Sequence, residues 1–214
     1  MTDDTASGAE FWDGRYAESD RIWSGEPNTA LVREAAGLPP GRALDLGCGE
    51  GADAIWLAQQ GWRVTATDIS RVALDRAAAH ASEEGVADRI AWQRVDLAES
   101  FPDGLFDLVS AHFLHSPGDL PRERILGKAA SAVAPGGVLL VVGHASFPPW
   151  EHEHEHQHPG LHFPTPQEVF EGLDLAEGEW EVLRSEEYER TRTAPDGRPA
   201  VRRDNTLMIR RPAG

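Results

Sequence analysis

Ala43-Leu44-Asp45-Leu46-Gly47-Cys48-Gly49-Glu50-Gly51 is the stretch whose reading decides the fold. Its first residues complete the run Arg42–Leu46, which reads as a buried strand. Gly47 and Gly49 let the backbone turn sharply and leave room for a ligand against the main chain. Gly51 opens a helix that runs to Gln60 and stops at Gly61. A strand, a glycine turn and a helix in this order form the place where a doubly wound sheet binds nucleotide-type ligands.

Outward from this stretch the chain alternates. Trp62–Thr67, Ile90–Val95, Phe106–Ala111 and Val138–Val142 read as further strands. Between them, Ser70 caps an alanine-rich helix reaching about Glu84, and Pro121 opens another that ends before Pro135-Gly136-Gly137. Strands apolar on both faces, separated by helices, imply a parallel sheet covered on both sides. Upstream, the first residues through Glu10 read as frayed. Phe11, Trp12, Tyr16 and Trp23 make an aromatic-rich stretch, and Asn28 is placed to cap a short helix ending before Gly37. Residues 1–40 thus form an N-terminal cap segment. Downstream, 145–166 is a long His-, Pro- and Glu-rich loop, and Thr165-Pro166 starts a helix. Trp180–Thr191 and Val201–Arg210 form a hairpin turned at Pro195-Asp196-Gly197. All 214 residues read as one domain.

The formal charge is −16, with 36 acidic against 20 basic residues. Such a surface repels nucleic-acid backbones and anionic membranes, so neither is an expected partner. The apolar run Val138–Val142 is too short to span a bilayer, the N-terminus has no signal-like apolar region, and the lone Cys48 allows no intrachain disulfide. A cytoplasmic protein is expected.

The glycine spacing is not that of a dinucleotide loop, which must cradle a pyrophosphate. Here acids flank the loop at Asp45 and Glu50, which suits a ligand with a cationic amino-acid end. Asp45 either contacts that ligand or fixes loop amides. Asp68, at the second strand's end, can accept from two ribose hydroxyls, and Ile69 can pack on an adenine face. Asp96, after the third strand, can accept the adenine amine, while the Leu97 amide reaches a ring nitrogen.

With ALDLGCGEG (43–51), VTATDIS (64–70), VDL (95–97), FDLVSAHFLH (106–115) and APGGVLLVV (134–142), the chain resembles the class I S-adenosylmethionine (SAM)-dependent methyltransferases. Its N-terminal FWDGRYAE further resembles small-molecule enzymes of the tellurite-resistance and thiopurine-methyltransferase-like group. The resemblance implies a Rossmann-like α/β fold with seven strands in the order 3-2-1-4-5-7-6, strand 7 antiparallel. It implies that Gly47, Cys48, Gly49 and Gly51 belong to the loop at the methionine end of SAM, that Asp68 holds the ribose, that Asp96 and Leu97 read adenine, and that Ala111 and His112 lie near the reacting methyl. The expected partner is a small-molecule methyl acceptor.

Methyl transfer from a sulfonium needs positioning and water exclusion, and needs a base only when the nucleophile arrives protonated. Trp12, Tyr16 and Trp23 either form a lid over the sulfonium, Trp12 and Tyr16 facing the acceptor, or staple the N-terminal segment to the sheet. His115 and His144 are candidates for the base, and His112 for an acceptor contact; each is otherwise a partly buried histidine with a backbone partner. In Glu151–His158, His152, His154, His156 and His158 share one face of an extended chain and can bind a divalent metal, or belong to a polar lid. Two alternatives stand beside methyl transfer: a SAM- or metal-binding module without catalysis, working through the histidine tract, and an oxidoreductase of nicotinamide type, which the loop spacing and its acids disfavour.

Overall fold

Arg42–Leu46 forms β1, the centre of a parallel array in which each strand continues apolar because helices cover both faces. β2 (Arg63–Asp68) and β3 (Ile90–Arg94) lie to one side of it, and β4 (Phe106–His112) and β5 (Val133–His144) to the other. β6 (Glu181–Thr193) and β7 (Pro199–Arg210) form the hairpin, with β7 antiparallel to β5. The sheet order is β3-β2-β1-β4-β5-β7-β6, as the resemblance implied. This is a computed structural model; it describes residues 8–116, 120–148, 150, 162–176, 178, 180–194 and 196–213.

The period-two geometry of a strand divides β5 between two cores. Val138, Leu140 and Val142 pack on one face with Ala54, Leu57 and Trp62, from and just beyond α3 (Ala52–Gln59). Leu139 and Val141 pack on the other with Ile125, Leu126 and Ala129 of α5 (Arg122–Ser131). Burying each such leucine or isoleucine contributes about 1.5–3 kcal/mol. Ser70 caps α4 (Arg71–Glu83) by accepting the Ala73 N–H at 3.1 Å. Thr165 and Glu168 close a capping box at the start of α6 (Pro166–Gly172).

Three local readings change. Gly8–Ala17 is a helix, α1, in place of a frayed end. It is anchored because Asp13 accepts the Ser70 hydroxyl at 2.6 Å and the Val72 N–H at 3.3 Å, placing a carboxylate at the positive end of α4. Asn28 makes no side-chain cap on α2 (Thr29–Ala35), because its amide nitrogen donates to Asp53 instead, at 2.8 Å. β5 starts at Val133, before the expected turn, and Gly136 bonds back to Arg211 and Pro212. Among the described residues no helix is long and apolar enough to cross a membrane.

Gly51 sits at φ +87°, and a Cβ there would meet the Ala77 Cβ and the tip of Trp92 at 2.8 Å. Its function is therefore the close seating of α3 on α4 and β3. Gly14, inside α1, has nothing within 4 Å of an added Cβ. Gly51→Ala is expected to lose about 2 kcal/mol in urea unfolding, from left-handed strain and overpacking. Gly14→Ala should instead gain about 0.5 kcal/mol from helix propensity. Equal effects of the two would contradict this account.

Candidate functional site

The parallel strands all point their carboxyl ends to one edge of the sheet, and a cavity of about 540 Å³ opens there beneath the N-terminal segment. Its floor is the glycine loop. The Gly47 and Cys48 N–H groups donate to the Thr67 carbonyl at 2.8 and 2.9 Å, which pins the tip of β1 to the tip of β2. Gly49 N–H donates to Asp68 Oδ2, and Ser70 N–H to Oδ1, both at 2.9 Å. Asp68 is thus held rigidly with lone pairs left over for a ligand. Burial raises its pKa, and the amide bonds oppose that rise. Ile69, Asp96 and Leu97 line the same end of the cavity, and Asp96 is braced by the Ala98 N–H at 2.9 Å.

Asp45 is buried between this loop and β4. Ser110 donates to its Oδ1 at 3.0 Å, whereas its Oδ2 has no partner among the described residues. Burial, reinforced by Asp53, pushes its pKa up to about 7, against the opposing pull of His112 and Ser110. Next to it, His112 Nδ1 lies 2.6 Å from Asp53 Oδ2. Burial disfavours charge on both, yet their mutual attraction wins: His112 is raised and Asp53 lowered. His112 Nε2 is also buried without a partner among the described residues.

A lid closes over this floor. Glu50 accepts the backbone N–H groups of Ile22 and Trp23, at 3.2 and 3.1 Å, and pairs with Arg76 at 3.0 Å. Its charge, expected to face a cationic ligand, is therefore already engaged in holding the cap. Asp53 likewise takes the Asn28 N–H at 2.6 Å. Trp12 donates to the Ser116 hydroxyl at 3.1 Å, bridging the lid to the segment after β4. Trp23 donates to the Tyr16 hydroxyl at 3.0 Å, and that hydroxyl lies 2.9 Å from where a Gly49 Cβ would be. Trp12, Tyr16 and Trp23 all line the cavity, and they are also tethers of the segment.

The far end has different chemistry. Phe113, at φ +49°, turns the chain sharply after β4. A bulky residue in that region costs roughly 1–2 kcal/mol, and the strain is held by packing. Its ring stacks on His144 at 4.4 Å, and His144 stacks on His115 at 5.3 Å. His144 Nδ1 lies 2.8 Å from Asp204 Oδ1, its register partner on β7. Burial lowers the His144 pKa, with Asp204 opposing. His115 falls to about 4 through burial and the nearby His144, Arg122 and Arg202. Both rings are therefore neutral near pH 7.

Of the residues singled out in the sequence, Gly47, Cys48, Gly49, Asp45, Asp68, Ile69, Asp96, Leu97, Trp12, Tyr16, Trp23, His112, His115 and His144 line this one cavity. Two depart from expectation. Gly51 faces Ala77 and Trp92, and Ala111 lies in the core beside Leu46 and Val141, because alternation along β4 turns His112 to the cavity instead. His152, His154, His156 and His158 lie outside the described residues. Sequence reasoning missed Asp53, Asp204, Arg192 and Arg202. Only Asp53, four residues beyond Gly49 in the loop's own helix, carried a local signal.

Three acceptors without full complements, Asp45, Asp68 and Asp96, converge on a cavity whose floor tolerates no added Cβ at Gly49. That arrangement fits SAM, whose amino group, ribose and adenine all carry hydrogen-bond donors. Residues 43–137 match the family described as "Methyltransferase domain". The 27-O-demethylrifamycin SV methyltransferase of Amycolatopsis mediterranei is 35% identical over 136 residues, covering 60% of this chain and 47% of that one. A solved structure described as "Conversion of a Disulfide Bond into a Thioacetal Group during Echinomycin Biosynthesis" superposes with TM-score 0.70 at 25% identity, over 96% of this chain and 94% of that chain. The N-methyltransferase NodS of Bradyrhizobium japonicum WM9, in complex with S-adenosyl-L-homocysteine (SAH), superposes with TM-score 0.67 at 18% identity, covering 96% and 100%. The chain spans 32% and 47% of the length of the first two curated relatives it matches.

The raised pKa of Asp45 has a sign that can be checked. The folded state keeps this proton above the ordinary carboxylate range, so stability falls as pH rises from about 4 through about 7. Asp45→Asn removes that fall while leaving an oxygen for Ser110. Relative to wild type, the variant should gain at least about 1 kcal/mol between pH 5 and pH 8 in urea unfolding, the worth of roughly one pKa unit. A difference independent of pH would refute the assignment. Residues 43–137 are therefore similar to the methyltransferase-domain family, and the chain shares the fold of the SAH-bound NodS structure.

Proposed function

We propose that the chain transfers a methyl group from SAM to a small-molecule acceptor bound at the His144 end of the cavity. The observation that carries this reading is the convergence of Asp45, Asp68 and Asp96 around the glycine loop at one end of a single lidded cavity. Asp68 would take the ribose hydroxyls, Asp96 the adenine amine, and Asp45 Oδ2 the amino group of the methionine end. Trp23 and Tyr16 would cover the sulfonium side. The strongly acidic chain, at −16, supports a small acceptor over a nucleic acid.

When bound, SAM supplies a methyl on a sulfonium leaving group, which in-line displacement converts to SAH. The protein contributes orientation and dryness: the lid held by Glu50 and Asp53 excludes water above the reacting atoms. For a nucleophile that arrives protonated, His144 is the group placed to take the proton. Asp204 fixes its Nδ1–H, so Nε2 presents a lone pair, and burial keeps the ring neutral. His115, driven down to about 4, is a weak base; it would instead orient the acceptor through its stack on His144.

Calorimetry with SAH is the primary test. Wild type should bind, and Asp68→Ala should lose at least about tenfold, the worth of one charge-assisted hydrogen bond. Unchanged affinity in this variant, or no binding by wild type, sinks the reading. A methylation screen of thiols, amines, phenols, tellurite and selenite then identifies the acceptor. For an acceptor that must lose a proton, His144→Gln should lower kcat by about 10²–10⁴-fold without changing SAH affinity.

A further inference from the structure

Beyond β4 and β5 the wall of the cavity is built of rings: Phe113, His115 and His144 all line it. Phe113 and His144 have centroids 4.4 Å apart with planes inclined at 27°, and His144 and His115 lie 5.3 Å apart at 20°. His144 therefore shares its ring between two side chains of one short segment, and the three rings make a stack. Backbone strain helps to assemble it. Phe113 takes φ +49°, which aims its ring at His144. Strain of this kind persists where the surroundings over-determine it, and it points toward a site. Both imidazoles are neutral near pH 7, so the stack offers weakly hydrated faces in place of hydrated cations.

The three rings differ in what is left free. Phe113 also has Arg190 over its ring at 5.2 Å. His144 is held through Nδ1 by Asp204 at 2.8 Å. His115 makes no hydrogen bond among the described residues and stands exposed at the cavity wall. The open end of the stack is therefore His115. Rings in contact lie about 3.5–4 Å apart, so centroids 5.3 Å apart imply a sideways slip of roughly 3.5–4 Å. His115 consequently leaves part of the His144 ring uncovered, and a flat guest on His115 can reach past it toward His144. The lid supplies a further ring at this place. Trp12 is tied to Ser116, beside His115, by its 3.1 Å hydrogen bond, and Phe11 packs edge-on against it at 5.4 Å and 88°.

We propose that the methyl acceptor carries a planar aromatic ring, which lies on His115 as the next member of the Phe113–His144–His115 stack. The inference rests on the methyltransferase reading and narrows its substrate class. Aliphatic acceptors lack the flat face, and metalloid oxyanions have no ring, so both fit this wall poorly. Stacking fixes the plane of the acceptor, which limits the directions from which its nucleophile meets the methyl.

Titration of the SAH-saturated full chain with naphthol and with its saturated counterpart decahydronaphthol tests it. Both carry a single hydroxyl and are neutral at pH 7. The saturated alcohol is no less apolar, so burial of area alone gives naphthol no advantage. Naphthol should bind at least about threefold more tightly, as expected when an aromatic pair adds to area burial. His115→Ala should bring the two affinities to within about twofold of each other, whereas His115→Phe, which keeps a flat ring, should preserve the preference. The proposal is overturned if neither compound binds at millimolar concentration, or if decahydronaphthol binds as well as naphthol. It is also overturned if the preference survives His115→Ala, since the ring would then sit elsewhere, on Trp12 for example. Loss of SAH affinity in His115→Ala as large as the loss of naphthol affinity overturns it too, because His115 would then serve the cofactor. Failure of wild type to bind SAH would instead strike the underlying reading, and the His115 dependence of naphthol binding, measured without SAH, keeps the two failures apart.

Discussion

Four carboxylates, those of Asp45, Glu50, Asp53 and Asp68, are buried within nine residues of one loop and at the tip of the neighbouring strand. Taking even one ion out of water is costly, and like charges at close range raise the cost further. The structure around the cavity is largely the answer to that constraint. Asp68 is satisfied by loop amides, Glu50 by the lid's amides and Arg76, and Asp53 by Asn28 and the His112 ring. Asp45 is left under-satisfied and responds by holding a proton to about 7. The N-terminal segment is consequently not an appendage. Its backbone donors are part of how the acids are tolerated, so closing the lid and stabilising the loop are one event.

This coupling gives the cavity its direction. Acids that must find donors surround the end where a ligand rich in N–H and O–H groups fits. At the opposite end Asp204 does the same service for His144 and Arg190. Sheet order, not local sequence, makes this gradient. β3, β2 and β1 run out one way from the crossover point and β4, β5, β7 and β6 the other. Residues far apart in the chain are therefore brought to one edge in a fixed order.

That distinction also explains what could be read beforehand. The glycine loop, Asp68 and Asp96 were legible because each sits at a strand end that hydrophobic patterning locates, and a strand end is a local property. The helix at Gly8–Ala17 escaped notice because its anchor, Asp13 on Ser70, joins residues 57 apart. Asn28 has the composition of a cap, yet Asp53 holds it by two hydrogen bonds, accepting its backbone N–H at 2.6 Å and its side-chain amide nitrogen at 2.8 Å. Asp204 and Arg202 lie on a strand whose pairing partner, β5, begins about 70 residues earlier, and no periodicity in either strand announces which side chains will meet.

Phe113 draws these threads to one point. A phenylalanine at φ +49° is unfavourable alone, and it persists here because Val142 accepts its N–H, His144 stacks on one side of its ring and Arg190 lies against it. The strain directs the chain after β4 back across the cavity, which brings Leu114 against Gly47 and Ser116 to Trp12. One strained turn therefore touches the glycine loop, the lid and the His144–Asp204 pair at once. Relaxing it would not simply loosen a loop. It would separate the acidic end from the His144–Asp204 end, and the two would no longer share a cavity.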